Sequence, residues 1–144
     1  MHMRGNPRDM QSEPSYRDVS REVLDHLRAR AHACLKAGIE GHKILIDPGI
    51  GFGKRDEHNL ELTRSVGTLA NITGCRVLYG ASRKSLIGRI ADIEGPKDRL
   101  PGSLALAGVA AAAGASMLRV HDVAETVQYL RLRRALRGRP GEKA

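Results

Sequence analysis

Apolar positions along this chain change their period several times, and each change predicts an element. From Asp18 onward, Val19, Val23, Leu24, Leu27, Ala31, Cys34 and Leu35 recur at helical spacing, with Arg21, Asp25, Arg28 and Lys36 on the other face and Gly38 as the stop. Residues 43–46 form a short apolar run that reads as a buried strand. A second helix is predicted from Asn59 as its cap, carrying Leu60, Leu62, Val66 and Leu69 and ending by Gly74. A strand at 76–80, a short helix at 84–90 and a loop at 92–101 follow. Gly102-Ser103 opens a helix of small residues through Ala113, a third strand spans 117–121, and a last helix spans 123–136 with Val123, Val127, Leu130 and Leu136 on one face. Residues 1–13 show no period and read as a loop.

The order is helix, strand, helix, strand, helix, strand, helix. Such alternation predicts an α/β fold with a parallel sheet, right-handed crossovers and helices on its faces. Each strand runs into charge: Asp47 after the first, Ser82-Arg83-Lys84 after the second, Arg119 and His121 at the third. Polar groups gathered after the strands at one sheet edge suit a (β/α)8 barrel or a doubly wound sheet, and the alternation by itself does not choose between them.

Composition narrows the classes. The chain has 144 residues, 41% hydrophobic and 28% charged, enough for one domain built on apolar packing. Its two cysteines, Cys34 and Cys75, read as buried thiols of a cytoplasmic protein. No apolar run approaches the ~20 residues of a membrane span, and Met1-His2-Met3-Arg4 lacks the apolar core of a signal peptide. Net charge is +8, from 24 Lys and Arg against 16 Asp and Glu, and permits anionic ligands. Much of it crowds the C-terminal helix and a basic flexible tail at 137–144. With aromatics at 3% and no Trp, the stacking platforms of a single-strand nucleic-acid binder are missing.

The candidate chemistry lies in three loops. In Asp47-Pro48-Gly49-Ile50-Gly51-Phe52-Gly53-Lys54 a carboxylate leads into three glycines that let backbone approach a flat ligand, with Phe52 among them as a lid. The run is not a P-loop, because it lacks the closing Gly-Lys-Ser/Thr. Ser82-Arg83-Lys84-Ser85 sets two cations and two hydroxyls at a helix start, where the dipole also favours anions. Arg119 and His121, two apart on a strand, share a side, with Val120 turned the other way into packing. Asp122 reads as the cap of the last helix. His26 and His32, six apart, do not share a helix face as a metal pair would and read as surface or packing residues. These residues propose a flat polar ligand held by Asp47 and Lys84, beside a diphosphate held by Arg119 and His121.

Met1-His2-Met3-Arg4-Gly5-Asn6-Pro7, the Asp47 to Lys54 run, Gly80-Ala81-Ser82-Arg83-Lys84-Ser85, Gly102-Ser103-Leu104-Ala105 and Leu118-Arg119-Val120-His121-Asp122 together resemble the dihydropteroate synthase family. That resemblance runs from residue 1 to about 136. It implies the condensation of 6-hydroxymethyl-7,8-dihydropterin diphosphate with p-aminobenzoate in folate biosynthesis, on a TIM barrel and with Mg²⁺. By the same resemblance Asp47 and Lys84 contact the pterin, Arg119 and His121 the diphosphate. Phe52 flanks both substrates, Ser85 lies on the p-aminobenzoate side where sulfonamides compete, and Gly80 and Met1 belong to the pocket wall. Lys84, Arg119 and His121 are the expected catalytic set. A homodimer is implied for the full-length enzyme.

A barrel of this kind needs about 250 residues. The expectation is therefore the C-terminal half of a (β/α)8 barrel, residues 1–144 running from the end of strand five through helix eight, with Met1 internal to strand five. No metal ligand is expected in this half, and little or no turnover is expected of the chain alone. The alternatives are a fragment of a pterin-dependent methyltransferase and a non-catalytic half-barrel that binds a partner through its open edge.

Overall fold

A computed structural model describes residues 1–137; residues 138–144, which hold all but the first residue of the expected basic tail, lie outside the described residues. The elements are α1 (Val19–Lys36), β1 (Leu45–Ile46), α2 (Asp56–Arg64), α3 (Val66–Thr73), β2 (Arg76–Tyr79), α4 (Ser85–Ala91), α5 (Leu100–Ala112), β3 (Met117–Leu118) and α6 (Val123–Leu136). Single turns of 3-10 helix at Gly41–Lys43 and Pro96–Arg99 lead into β1 and α5. The strands lie parallel in the order β1-β2-β3, with Ile46 opposite Val77 and Tyr79 opposite Leu118. Residues at the start of the chain lie along the outer edge of β1, where the His2 N–H donates to the Asp47 carbonyl at 3.0 Å.

One face of this sheet is dry. Ile46, Val77 and Tyr79 point toward the helices and are buried with Val23, Leu27, Leu62, Val66 and Leu69. Burial pushes the Tyr79 phenol up to about 12, and its hydroxyl pairs with Thr63 Oγ1 at 2.7 Å. The other face, with Leu45, Leu78 and Met117, is half-covered or exposed. An open parallel sheet clothed by helices on one side only is half of the layering that such sheets require.

Several sequence expectations need correction. Asn59 does not cap the second helix, which starts three residues earlier; Asn59 is fully buried inside α2. Its Oδ1 accepts the Gly51 N–H at 2.7 Å and its Nδ2 donates to the Arg55 carbonyl at 2.9 Å, so the amide ties the glycine loop to the helix. That helix is also divided at Ser65 into α2 and α3. Helix α5 starts at Leu100 with Pro101 in its first turn, where a missing N–H costs nothing. Ser103 instead donates to Arg99 O at 2.8 Å and accepts the Arg83 N–H at 2.9 Å. The ladder of β3 ends at Leu118, because Arg119 makes the last bond, to Tyr79 O at 2.9 Å, and the chain then turns outward.

Two apolar faces are less covered than their spacing implies. Leu35 is exposed at the end of α1, and on α6 Val123, Val127 and Leu136 face outward, since no described element packs over them. Where small residues were expected to allow close approach they do: a Cβ at Gly108 of α5 would come within 2.9 Å of the Tyr129 ring on α6.

Candidate functional site

Backbone conformation sets the first wall. Gly49 and Gly53 have φ of +68° and +64°, and a Cβ at either would collide with the carbonyl of His2 or Arg4, so only glycine lets residues 1–4 lie against the loop. Asp47, half-buried at the end of β1, accepts the Gly49 N–H on Oδ1 at 2.7 Å. Met1 is exposed beside Gly49. Beneath the loop lies a buried lysine whose role the sequence did not disclose. Lys54 Nζ lies 3.0 Å from each of Gly49 O, Phe52 O and His2 Nδ1. Burial brings its ammonium down to about 8 and the His2 imidazole down to about 3. The available signal was a lysine closing a run of glycines and apolar residues, where a solvated cation has no natural place.

The second wall follows β2. Ala81 and Ser82 are buried, Arg83 takes a left-handed φ of +58°, and Lys84 leads into α4. Arg83 is gripped on every side. Its N–H bonds Ser103, its carbonyl accepts from Arg99 Nη1 at 3.1 Å, and its Nε donates to Asp122 Oδ2 at 3.0 Å in a bidentate pair. Asp122 is thus no side-chain cap for α6; it spends its carboxylate on Arg83, which holds it below the usual range. With Arg83 fixed, Lys84 reaches across to the glycine loop. Its Nζ hydrogen-bonds Ile50 O and sits 4.2 Å from the centre of the Phe52 ring. Burial, the larger influence, pushes its pKa down against the pull of Asp47, and Arg119 adds to the lowering.

The third wall is Arg119 and His121, which line one cleft of about 730 Å³ together with Gly80, Ser82, Arg83 and Lys84. Val120 lines an apolar hollow beside α6 that Arg119 also borders, so the expected opposition of the two along a strand does not separate them, because the strand has ended at Leu118. Ser82 Oγ accepts the His121 N–H at 3.2 Å and lies 3.0 Å from His121 Nδ1. Whether the hydroxyl donates to Nδ1 or accepts from it, Ser82 fixes the orientation of the His121 ring.

The structure therefore brings Gly80, Lys84, Arg119 and His121 together and joins Asp47 and Phe52 to them through Lys84. Ser85 is exposed and turns to a second cleft of about 520 Å³ between the glycine loop and α4, shared with Gly51, Lys54 and Arg89. Among the described residues no three His, Cys, Asp or Glu side chains converge as metal ligands. The cleft sets a single carboxylate, Asp98, among Arg83, Lys84, Lys97 and Arg119, whose charges repel a divalent cation. These residues do not fit a metal site, and what they supply is positive charge and hydrogen-bond donors.

A cation-lined cleft next to a carboxylate and a glycine loop, on consecutive parallel strands, is matched over residues 1–121 by the family model described as pterin binding enzyme. The chain belongs to that family. It is 46% identical over 132 residues to dihydropteroate synthase of Escherichia coli (strain K12), a match covering 92% of this chain and 46% of that protein. With the enzyme of the same name from Neisseria meningitidis serogroup C it shares 45% over 136 residues, 94% and 48% of the two chains. Among solved structures, Yersinia pestis dihydropteroate synthase with a sulfonamide drug complex superposes at TM-score 0.89 and 39% identity, over 94% of this chain and 49% of that one. The Xanthomonas albilineans enzyme in complex with 7,8-dihydropteroate superposes at 0.85 and 43%, over 88% and 48%. These neighbours are TIM-barrel enzymes, so the α/β half-barrel expectation holds. The chain spans about half the length of the curated relatives it matches.

Proposed function

We propose that this chain carries the pterin and diphosphate walls of a dihydropteroate synthase, which joins 6-hydroxymethyl-7,8-dihydropterin diphosphate to p-aminobenzoate. One observation carries the reading: Lys84, Arg119 and His121 share a cleft whose neighbouring strand ends in Asp47 and a glycine loop. Asp47 accepts hydrogen bonds from the amino and ring N–H groups of a pterin, and Lys84 donates to its acceptor atoms. In the reaction the p-aminobenzoate nitrogen attacks the exocyclic carbon, a C–N bond forms, the C–O bond breaks and diphosphate leaves, while the nitrogen loses its proton to solvent. Negative charge grows on the departing oxygens, where the Arg119 guanidinium and the His121 ring of the same cleft supply hydrogen-bond donors. Preorganised cations suit this chemistry better than a strong base does.

Ser85 and the second cleft offer the p-aminobenzoate side, where sulfonamides would compete. Mg²⁺ enters this reading as the counter-ion that accompanies the diphosphate. A cytoplasmic location goes with it, supported by the free thiols of Cys34 and Cys75. Among the described residues no helix is long and apolar enough to cross a membrane. Homodimerisation of the full-length enzyme belongs to the same reading.

Thermal stabilisation by ligands tests it. Dihydropterin diphosphate is expected to raise Tm more than an equal concentration of inorganic diphosphate, and Asp47→Asn to reduce the gain to the inorganic level. Equal protection by inorganic diphosphate would make the chain an anion-binding module.

A further inference from the structure

The glycine loop rests on one buried cation to which neither substrate assigns a task. Lys54 is 2% exposed, and its ammonium places all three protons inside the protein, on Gly49 O, Phe52 O and His2 Nδ1. An apolar side chain of equal length would fill the same space without desolvating a charge, but it would take the ammonium donor from Phe52 O and His2 Nδ1 and leave Gly49 O with the Phe52 N–H alone. We propose that Lys54 is a positioning residue, a protonated clamp that fixes Gly49 and Phe52 and through them orients the Asp47 carboxylate, the Phe52 ring and Lys84. The proposal rests on the pterin reading of the site.

The connections are short. Gly49 gives its N–H to Asp47 Oδ1 and its carbonyl to Lys54, so the peptides on both sides of it are tied down. Phe52 gives its carbonyl to the same ammonium and its ring face to Lys84, while Lys84 also takes Ile50 O. Two ammonium groups thus hold the turn, Lys54 from beneath and Lys84 from the cleft. Lys84 meets the ligand, and Lys54 acts only through the loop.

Protonation gates the clamp. A neutral amine keeps two protons and can no longer donate to all three partners, so the clamp must rearrange. Burial is the main reason that Lys54 comes down to about 8; Asp47 opposes the change, and Lys84 and Arg4 reinforce it. The groups around it are the Met1 amino group, His2 and Arg4 from the start of the chain, Tyr16 and the α1 residue His26 against His2, Asp47 after β1 and Lys84 after β2. His2, neutral down to about 3, does not change its charge in the range in which Lys54 titrates.

Phe52 is the chain's one phenylalanine, so fluorophenylalanine labelling yields a single fluorine-19 resonance on the loop itself. Its shift is followed from about pH 6.5 to about pH 9.5 in the wild type and in Lys54→Met, alongside dihydropterin diphosphate affinity. The wild type is expected to show a step with its midpoint near about 8. Lys54→Met is expected to show none and to bind the pterin at least about five-fold more weakly at neutral pH, a loss the wild type reproduces above the step. A step that persists in Lys54→Met would belong to another group and overturn the clamp, as would wild-type affinity in that variant. If Lys54→Met does not fold, the protection factors of the Ile50, Gly51 and Gly53 amides of the wild type, taken relative to the intrinsic rise of exchange with pH, must fall across the same step, and unchanged protection factors overturn the proposal. A Lys54-dependent step in a wild type that binds no pterin would support the clamp and overturn the pterin reading.

Discussion

The two ends of the sheet are built to different standards. At the β1 end, residues 1–4, the glycine loop, Lys54 and Asn59 form a layer in which nearly every polar atom is spent on another part of the chain. At the β3 end, Arg119 and His121 are exposed, and α6 shows Val123, Val127, Leu132 and Leu136 to solvent. The difference teaches where the site's two tasks lie. On the proposed function, a flat ring read by shape and hydrogen bonds is expected at the rigid wall, and an anion that needs charge more than shape at the open one.

Truncating the core beneath the rigid end is expected to have the largest effect. Leu62 is 0% exposed, and Leu62→Ala should cost ~2–5 kcal/mol in denaturant unfolding. Next comes acid. The His2 imidazole takes its proton near 6.5 when unfolded and near about 3 when folded, so between those values the unfolded chain binds more protons. The contribution of His2 is complete above 6.5 and is lost as pH falls toward 3. His2→Gln should flatten the pH dependence of the unfolding midpoint in that window, and an unchanged slope would show that His2 is not held neutral.

A smaller effect is expected at the open end. Ser82→Ala removes the partner of His121 Nδ1 and should weaken diphosphate binding about five-fold, roughly 1 kcal/mol, with the unfolding midpoint little changed. The smallest is Leu132→Ala. Leu132 is 63% exposed, and the substitution should stay within ~0.5 kcal/mol, while a cost like that of Leu62→Ala would mean that α6 is covered in solution.

Much of this division was legible in the residues. Apolar runs located the three strands and most of the helices, with α2 and α3 read as one, and Asp47, Lys84, Arg119 and His121 stood out because charge directly followed an apolar strand. What stayed hidden depended on partners distant in sequence. Asn59 looks like a cap until Gly51 is seen bonded to it, and Asp122 looks like one until Arg83 arrives from 39 residues away. Lys54 read as the end of a loop, since no local pattern reveals that residues 1–4 seal it. The face of α6 read as core because periodicity reports amphipathicity, not what covers it.

The central claim, that ring and anion are read by separate walls, is tested most directly by measuring the affinity of 6-hydroxymethyl-7,8-dihydropterin with and without its diphosphate, for the wild type, Arg119→Ala and Asp47→Asn. Arg119→Ala is expected to lose about ten-fold for the diphosphate alone and to leave the bare pterin unchanged, whereas Asp47→Asn weakens both. If Arg119→Ala weakens both ligands equally, or neither, the two walls do not divide the work and the account is contradicted.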